Sequence, residues 1–137
     1  TNWKKRLVRI LTTANDTMNK PTVVIGASDN PSRYSFIATN RLREHGHTVF
    51  PVGIRPGQIH GLDIITGKPQ LSDVNTVTLY VGPQNQSAWA DYILSLHPQR
   101  VIFNPGTENP EMMQTFSQNN IQCVEACTLV MLSIGNY

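Results

Sequence analysis

Three consecutive β-branched residues, Val23, Val24 and Ile25, run directly into the small residues Gly26, Ala27 and Ser28. No other stretch constrains the fold as strongly. A β-branched run suits a strand covered on both faces. Gly26 lets the backbone turn tightly without a Cβ clash, and Ala27 and Ser28 are small enough for a ligand to reach the main chain. A helix is expected from about Tyr34. Amides at such a strand-to-helix turn point outward at a helix N-terminus, where they attract phosphate. The junction predicts a nucleotide-type site.

The rest of the chain repeats this alternation. Trp3, Leu7, Ile10, Leu11, Ala14 and Met18 recur at helical spacing, so an amphipathic helix is expected first, stopped by Asn19-Lys20-Pro21. Strands are expected over 22–25, 48–52, 76–81, 100–103 and 121–124, and Pro51 suggests an end position for the second. Helical stripes lie between them: Ile37, Ala38 and Leu42; then Trp89, Tyr92, Ile93 and Leu96; then Met112, Met113 and Phe116. Residues 53–67 read as irregular with a small extended piece, and an apolar segment over 128–134 closes the sequence. Such alternation predicts an α/β fold, a doubly wound parallel five-stranded sheet with right-handed crossovers and helices on both faces. The expected strand order is 3-2-1-4-5. Ligands of such sheets sit beyond the carboxyl ends of the strands. The whole sequence, 1–137, reads as a single domain without repeats or linkers.

Composition narrows the partners. Charged residues make up 15% and the formal net charge is +2, too weak a footprint for nucleic acid. Lys4-Lys5-Arg6 with Arg9 reads as the solvated side of the expected first helix. No apolar run approaches the ~18 residues of a membrane span, and charges interrupt the apolar residues at the start, so no signal peptide is read. A soluble, cytoplasmic domain with a small-molecule nucleotide ligand is expected. A protein partner stays open.

A dinucleotide site would show Gly-x-Gly-x-x-Gly after the first strand and an acid at the end of the second. Here the turn holds one glycine, and the second strand ends in Pro51-Val52-Gly53-Ile54-Arg55 without a carboxylate. Arg55 would instead meet a phosphate on the ribose. Coenzyme A and NADP are then the candidates.

Several motifs occur in series: Val24-Ile25-Gly26-Ala27-Ser28, Arg33-Tyr34-Ser35, His45 through Val52, and Ile59-His60-Gly61, with Asn104-Pro105-Gly106 and Ala126-Cys127 further on. As a set they resemble the small stand-alone CoA-binding proteins, which are similar to the N-terminal domain of the succinyl-CoA synthetase α subunit. The resemblance covers nearly the whole chain and implies a Rossmann-like fold that binds coenzyme A. It implies that Gly26, Ala27 and Ser28 cradle the diphosphate, with Arg33 and Ser35 just downstream. Val52, Gly53 and Arg55 would flank the adenosine and its 3′-phosphate. Val81, Gly82 and Pro83 would pack against the adenine side, and Asn104, Pro105, Gly106 and Thr107 would lie near the pantetheine arm. Cys127 matches a cysteine of the family, near the expected ligand crevice. One departure stands out: the family often has Pro-Val-Asn-Pro where this chain has Pro51-Val52-Gly53-Ile54.

The remaining reactive residues have plainer readings. Cys123 and Cys127 lack further ligands at metal spacing, so no metal site is read, and Cys123 is expected as a buried structural thiol. His45 and His47 bracket a turn glycine and are expected to be solvated. Glu108 and Glu111 favour a helix start by about 0.3–1 kcal/mol. The CoA ligases that share this fold carry their phosphorylated histidine beyond the CoA-binding domain, and this sequence stops at Tyr137. A non-catalytic CoA- or acyl-CoA-binding module is expected, serving as a carrier, sensor or partner subunit. The alternative is a small NADP-dependent or CoA-thioester enzyme using Cys127.

Overall fold

In the computed structural model, which describes residues 19–137, the β-branched run forms β1 (Thr22–Ile25), buried at every position. The helix expected from Trp3 to Met18 lies outside the described residues. β2 (Val49–Val52), β5 (Thr76–Leu79), β6 (Arg100–Phe103) and β7 (Gln122–Glu125) complete a sheet in which all neighbours pair in parallel. Two short strands, β3 (Gln58–Ile59) and β4 (Leu62–Asp63), form a separate hairpin within the segment expected to be irregular. The helices of the described residues are, in chain order, α1 (Tyr34–Glu44), α2 (Ser87–Leu96), α3 (Pro110–Gln118) and α4 (Thr128–Ile134).

Side chains alternate across the pleat and build a core on each face. Val23, Ile25, Val77, Leu79, Val101 and Phe103 pack beneath α2 and α3 with Trp89, Tyr92, Ile93 and Phe116. On the opposite face, Val24 meets Leu42 of α1 and Leu132 of α4. That second face also carries buried threonines, Thr22, Thr76 and Thr78. Their hydroxyls are satisfied by the Lys20 carbonyl, by Asn75 and by Thr128 respectively.

The strand order corrects the expectation. The sheet runs β2-β1-β5-β6-β7, which in the five-strand numbering is 2-1-3-4-5 rather than 3-2-1-4-5. Pro51 supplies the reason. Its carbonyl accepts from the Ile65 amide at 2.8 Å on the outer side of β2. A strand residue points its nitrogen and its carbonyl to the same side, so the proline nitrogen also faces outward. A further full strand there would find no N–H at Pro51. The outer edge carries one isolated bridge, Val52 to Ile65, and the chain crosses back to pair β5 on the other side of β1.

His47 is a second correction. It is buried rather than solvated. Its Nδ1 accepts from the Lys20 amide at 2.9 Å, and its ring lies against Tyr137 with centroids 4.9 Å apart. The glycine turn ends α1, and the chain then returns directly to the sheet, carrying the imidazole inward. Cys123 is half-buried and its thiol donates to the Met113 carbonyl at 3.5 Å.

Candidate functional site

β1 and β5 are neighbours in the sheet, yet β1 leads into α1 on one face and β5 into α2 on the other. Their loops diverge beyond the carboxyl ends and leave a cleft of about 1240 Å³. This is the topological switch point of the sheet, where open α/β folds take their ligands. The volume exceeds the ~300–1,000 Å³ of an ordinary small-molecule pocket and suits an extended ligand.

Two glycines set the floor of this cleft. Gly26 has φ +94°, and a Cβ there would stand 2.7 Å from the Tyr80 carbonyl oxygen. The β1 and β5 loops can therefore meet only at a residue without a side chain. A Cβ on Gly53 would come within 2.6 Å of the Ala27 carbonyl oxygen, so the backbones after β1 and β2 are in direct contact.

The amides left free in the loop after β1 lie further along it than Gly26 and Ala27. The amides of Gly26 and Ala27 both donate to the Val52 carbonyl, each at 3.0 Å. They tie the loop to β2 and are not offered to a ligand. Asn30 shapes the next turn: its Oδ1 accepts from the Ser32 amide at 3.0 Å, and its own amide donates to Ser28 Oγ at 3.1 Å. The amides of Ser28, Tyr34 and Ser35 find no acceptor among the described residues and lie on cleft-lining positions. The N-terminus of α2 reaches the same cleft through Ser87, Ala88 and Trp89.

Capping separates these two helices from the others. Among the described residues, neither α1 nor α2 has a side-chain cap. In contrast, Asn109 accepts from the Met112 amide at 3.1 Å at the start of α3. Asn104 accepts from the Thr128 amide at 2.9 Å at the start of α4. The positive ends of α1 and α2 are thus left facing the cleft. Arg33 and Arg55 add two cations to its wall, against one acid, Asp29. Such a lining favours an anion with several phosphates.

Of the residues expected at the site, Gly26, Ala27, Ser28, Arg33, Ser35, Gly53, Arg55, Val81, Gly82, Pro105, Gly106 and Thr107 line this cleft together. Four do not. Val52 is fully buried in the core. Pro83 opens an exposed 3-10 turn, Pro83–Asn85, before α2. Asn104 is buried and its amide is committed elsewhere, donating to Thr78 Oγ1 at 2.6 Å and to the Leu79 carbonyl at 2.8 Å. Cys127 is half-buried at the start of α4, beyond the edge strand β7.

Other lining residues had been given no individual role, although most lie in the turns expected beyond the strands. Asp29 and Asn30 belong to the loop after β1 and Tyr34 opens α1, Ile54 and Pro56 lie in the segment after β2, and Tyr80, Gln84 and Asn85 in the loop after β5. Asn30-Pro31 carries a turn signal that points to the loop's shape. Trp89 hides its place on the cleft within a core stripe. The Tyr80 hydroxyl is buried without a partner among the described residues, and burial pushes its ionisation upward. Gln86 gives no sequence signal. Its amide donates to the Val81 carbonyl at 2.9 Å and the Thr107 carbonyl at 2.6 Å, and so joins the loops after β5 and β6 into one wall.

Comparison with known proteins agrees with the fold. A family model described as a CoA binding domain matches residues 20–133. The chain is 50% identical to a protein of known structure described only as uncharacterized, with a TM-score of 0.85, covering 87% of this chain and 98% of that one. A hypothetical protein from Pyrococcus horikoshii OT3 is 24% identical, with a TM-score of 0.75 over 86% of this chain and 84% of its own. A Thermus thermophilus protein is 22% identical, with a TM-score of 0.76 over 92% and 96%. These last two share the fold. No curated protein matches the sequence.

Proposed function

This chain belongs to the CoA-binding domain family, and from that premise we propose that it acts as a non-catalytic module binding coenzyme A or an acyl-CoA. The observation that carries the proposal is the switch-point cleft, where two uncapped helix N-termini and two arginines converge. The diphosphate would rest on the amides of Ser28, Tyr34 and Ser35. Arg55 would meet the 3′-phosphate, and the pantetheine arm would run past Val81, Gly82 and Gly106 toward Trp89. Among the described residues, the cleft lining contains no histidine, cysteine or pair of carboxylates. Its amides, arginines and small residues suit the binding and orienting of an anion, with Asp29 as the single carboxylate among them. The proposed role is that of a carrier, sensor or partner subunit.

Thermal stability tests this directly, because a ligand that binds only the native state raises Tm. Coenzyme A is expected to raise Tm more than NAD does. Equal shifts, or a shift with NAD alone, would overturn the assignment. The Arg55→Ala variant should weaken coenzyme A more than dephospho-CoA, by about 1.5–3 kcal/mol for a charge-assisted bond. Equal losses would reduce Arg55 to scaffold.

A further inference from the structure

We propose that β7 is an interface for a second copy of this chain, two β7 strands pairing antiparallel into one continuous sheet. β7 is the outer strand beyond β6. The amides of Gln122 and Ala126 point inward, donating to the Gln99 carbonyl at 3.0 Å and the Phe103 carbonyl at 3.2 Å. Successive strand residues present their backbone groups to opposite sides. Val124 therefore faces β6 as well, whereas Cys123 and Glu125 turn their amides and carbonyls outward. Neither outward amide has an acceptor among the described residues. The opposite edge is protected: β2 carries Pro51, and Val52 is bridged by Ile65. β7 holds no proline, glycine or lysine, and it pairs in register along its length without a bulge. An edge in that state is a template for another strand.

The pattern of β7 itself fits a second β7. Antiparallel strands exchange hydrogen bonds between residues that both face the gap. Centred on Val124, the pair sets Cys123 of each copy against Glu125 of the other, and every outward amide and carbonyl of both strands is used. A shift by two residues one way places Glu125 against Glu125, like charges directly opposite. A shift the other way places Glu125 against Ile121, whose amide is already committed to the Phe116 carbonyl. Only the centred register satisfies both charge and hydrogen bonding. It brings the two half-buried Val124 side chains together, on the face opposite to the Cys123 thiol, which points to Met113. Antiparallel pairing also sends the two clefts to opposite ends of the joined sheet.

Sedimentation equilibrium of the wild-type protein should give a mass that rises with concentration from one chain to two. Glu125→Pro removes an outward N–H and no bond to β6. That variant should remain a single chain at every concentration at which wild type pairs. Val124→Cys tests the register: opposed residues of a non-hydrogen-bonded antiparallel pair have Cα atoms about 4.5 Å apart, within the reach of a disulfide. Mild oxidation should link position 124 of one chain to position 124 of another, identified by peptide mass. The proposal is overturned by a wild type that stays single at all concentrations or by Glu125→Pro pairing as wild type does. It is equally overturned if folded Val124→Cys protein does not form that link. Should Glu125→Pro fail to fold, the other two measurements decide.

Discussion

At Gly26 a left-handed φ of +94° coincides with a Tyr80 carbonyl 2.7 Å from where a Cβ would sit. Strain and overlap act together there, so Gly26→Ala should cost more than about 2 kcal/mol in denaturant unfolding; a loss under ~0.5 kcal/mol would show that the loops can part freely. His47 makes a different residue-scale prediction. Burial, and then the nearby charges of Lys20, His45 and Arg100, lower its pKa from 6.5 to about 4. The unfolded chain thus takes up a proton below 6.5 that the folded one refuses until about 4. Stability from this group is fully present above that window and falls as pH is lowered through it. His47→Asn keeps an acceptor for the Lys20 amide without the titration and should flatten that slope in urea unfolding followed between these pH values. An unchanged slope would assign the pH dependence to other groups.

Among the elements, the contrast lies in how each helix begins. α3 is capped by its own Asn109, whereas α4 borrows Asn104 from the end of β6. Removing the local cap with Asn109→Ala should cost about 0.5–2 kcal/mol. Asn104→Ala also strips contacts from Thr78 and the Leu79 carbonyl and leaves the Thr128 amide buried. It should cost more, roughly 2–4 kcal/mol, and equal losses in parallel unfolding curves would refute its bridging role. The elements were largely legible: β1 and β6 match their expected bounds, and α4 fills the apolar closing segment. β5 ends at Leu79 rather than Val81. Tyr80 still bonds to the Ile25 carbonyl at 2.8 Å, but the loops on either side of it then turn apart toward the cleft.

At the scale of the whole molecule, the described residues build a core on each face of the five-stranded sheet, and the two faces are expected to unfold together. Phe116 packs against Phe103 on one face, and Leu132 packs near Val24 on the other. Phe116→Ala should cost about 3–5 kcal/mol and Leu132→Ala about 2–5 kcal/mol. With the sheet between them and no shared partners, their effects should add within ~0.5 kcal/mol in one cooperative transition. A biphasic curve for either variant would mean that the faces unfold separately.

The sequence by itself determined the parallel α/β alternation and the glycine turn after β1, because these depend on local periodicity and on residues with special backbone freedom, and with the family resemblance it named half of the cleft's lining. Arg33 and Gly53 entered through the family resemblance, and Arg55 through its place after the second strand. Tertiary structure alone decided the strand order, since Pro51 matters only through the edge it faces, and the burial of His47, which depends on Lys20 and Tyr137 meeting it from distant parts of the chain. It also decided which amides remain free. The Val52 carbonyl takes those of Gly26 and Ala27, and no local pattern within residues 22–35 records what a neighbouring strand will accept.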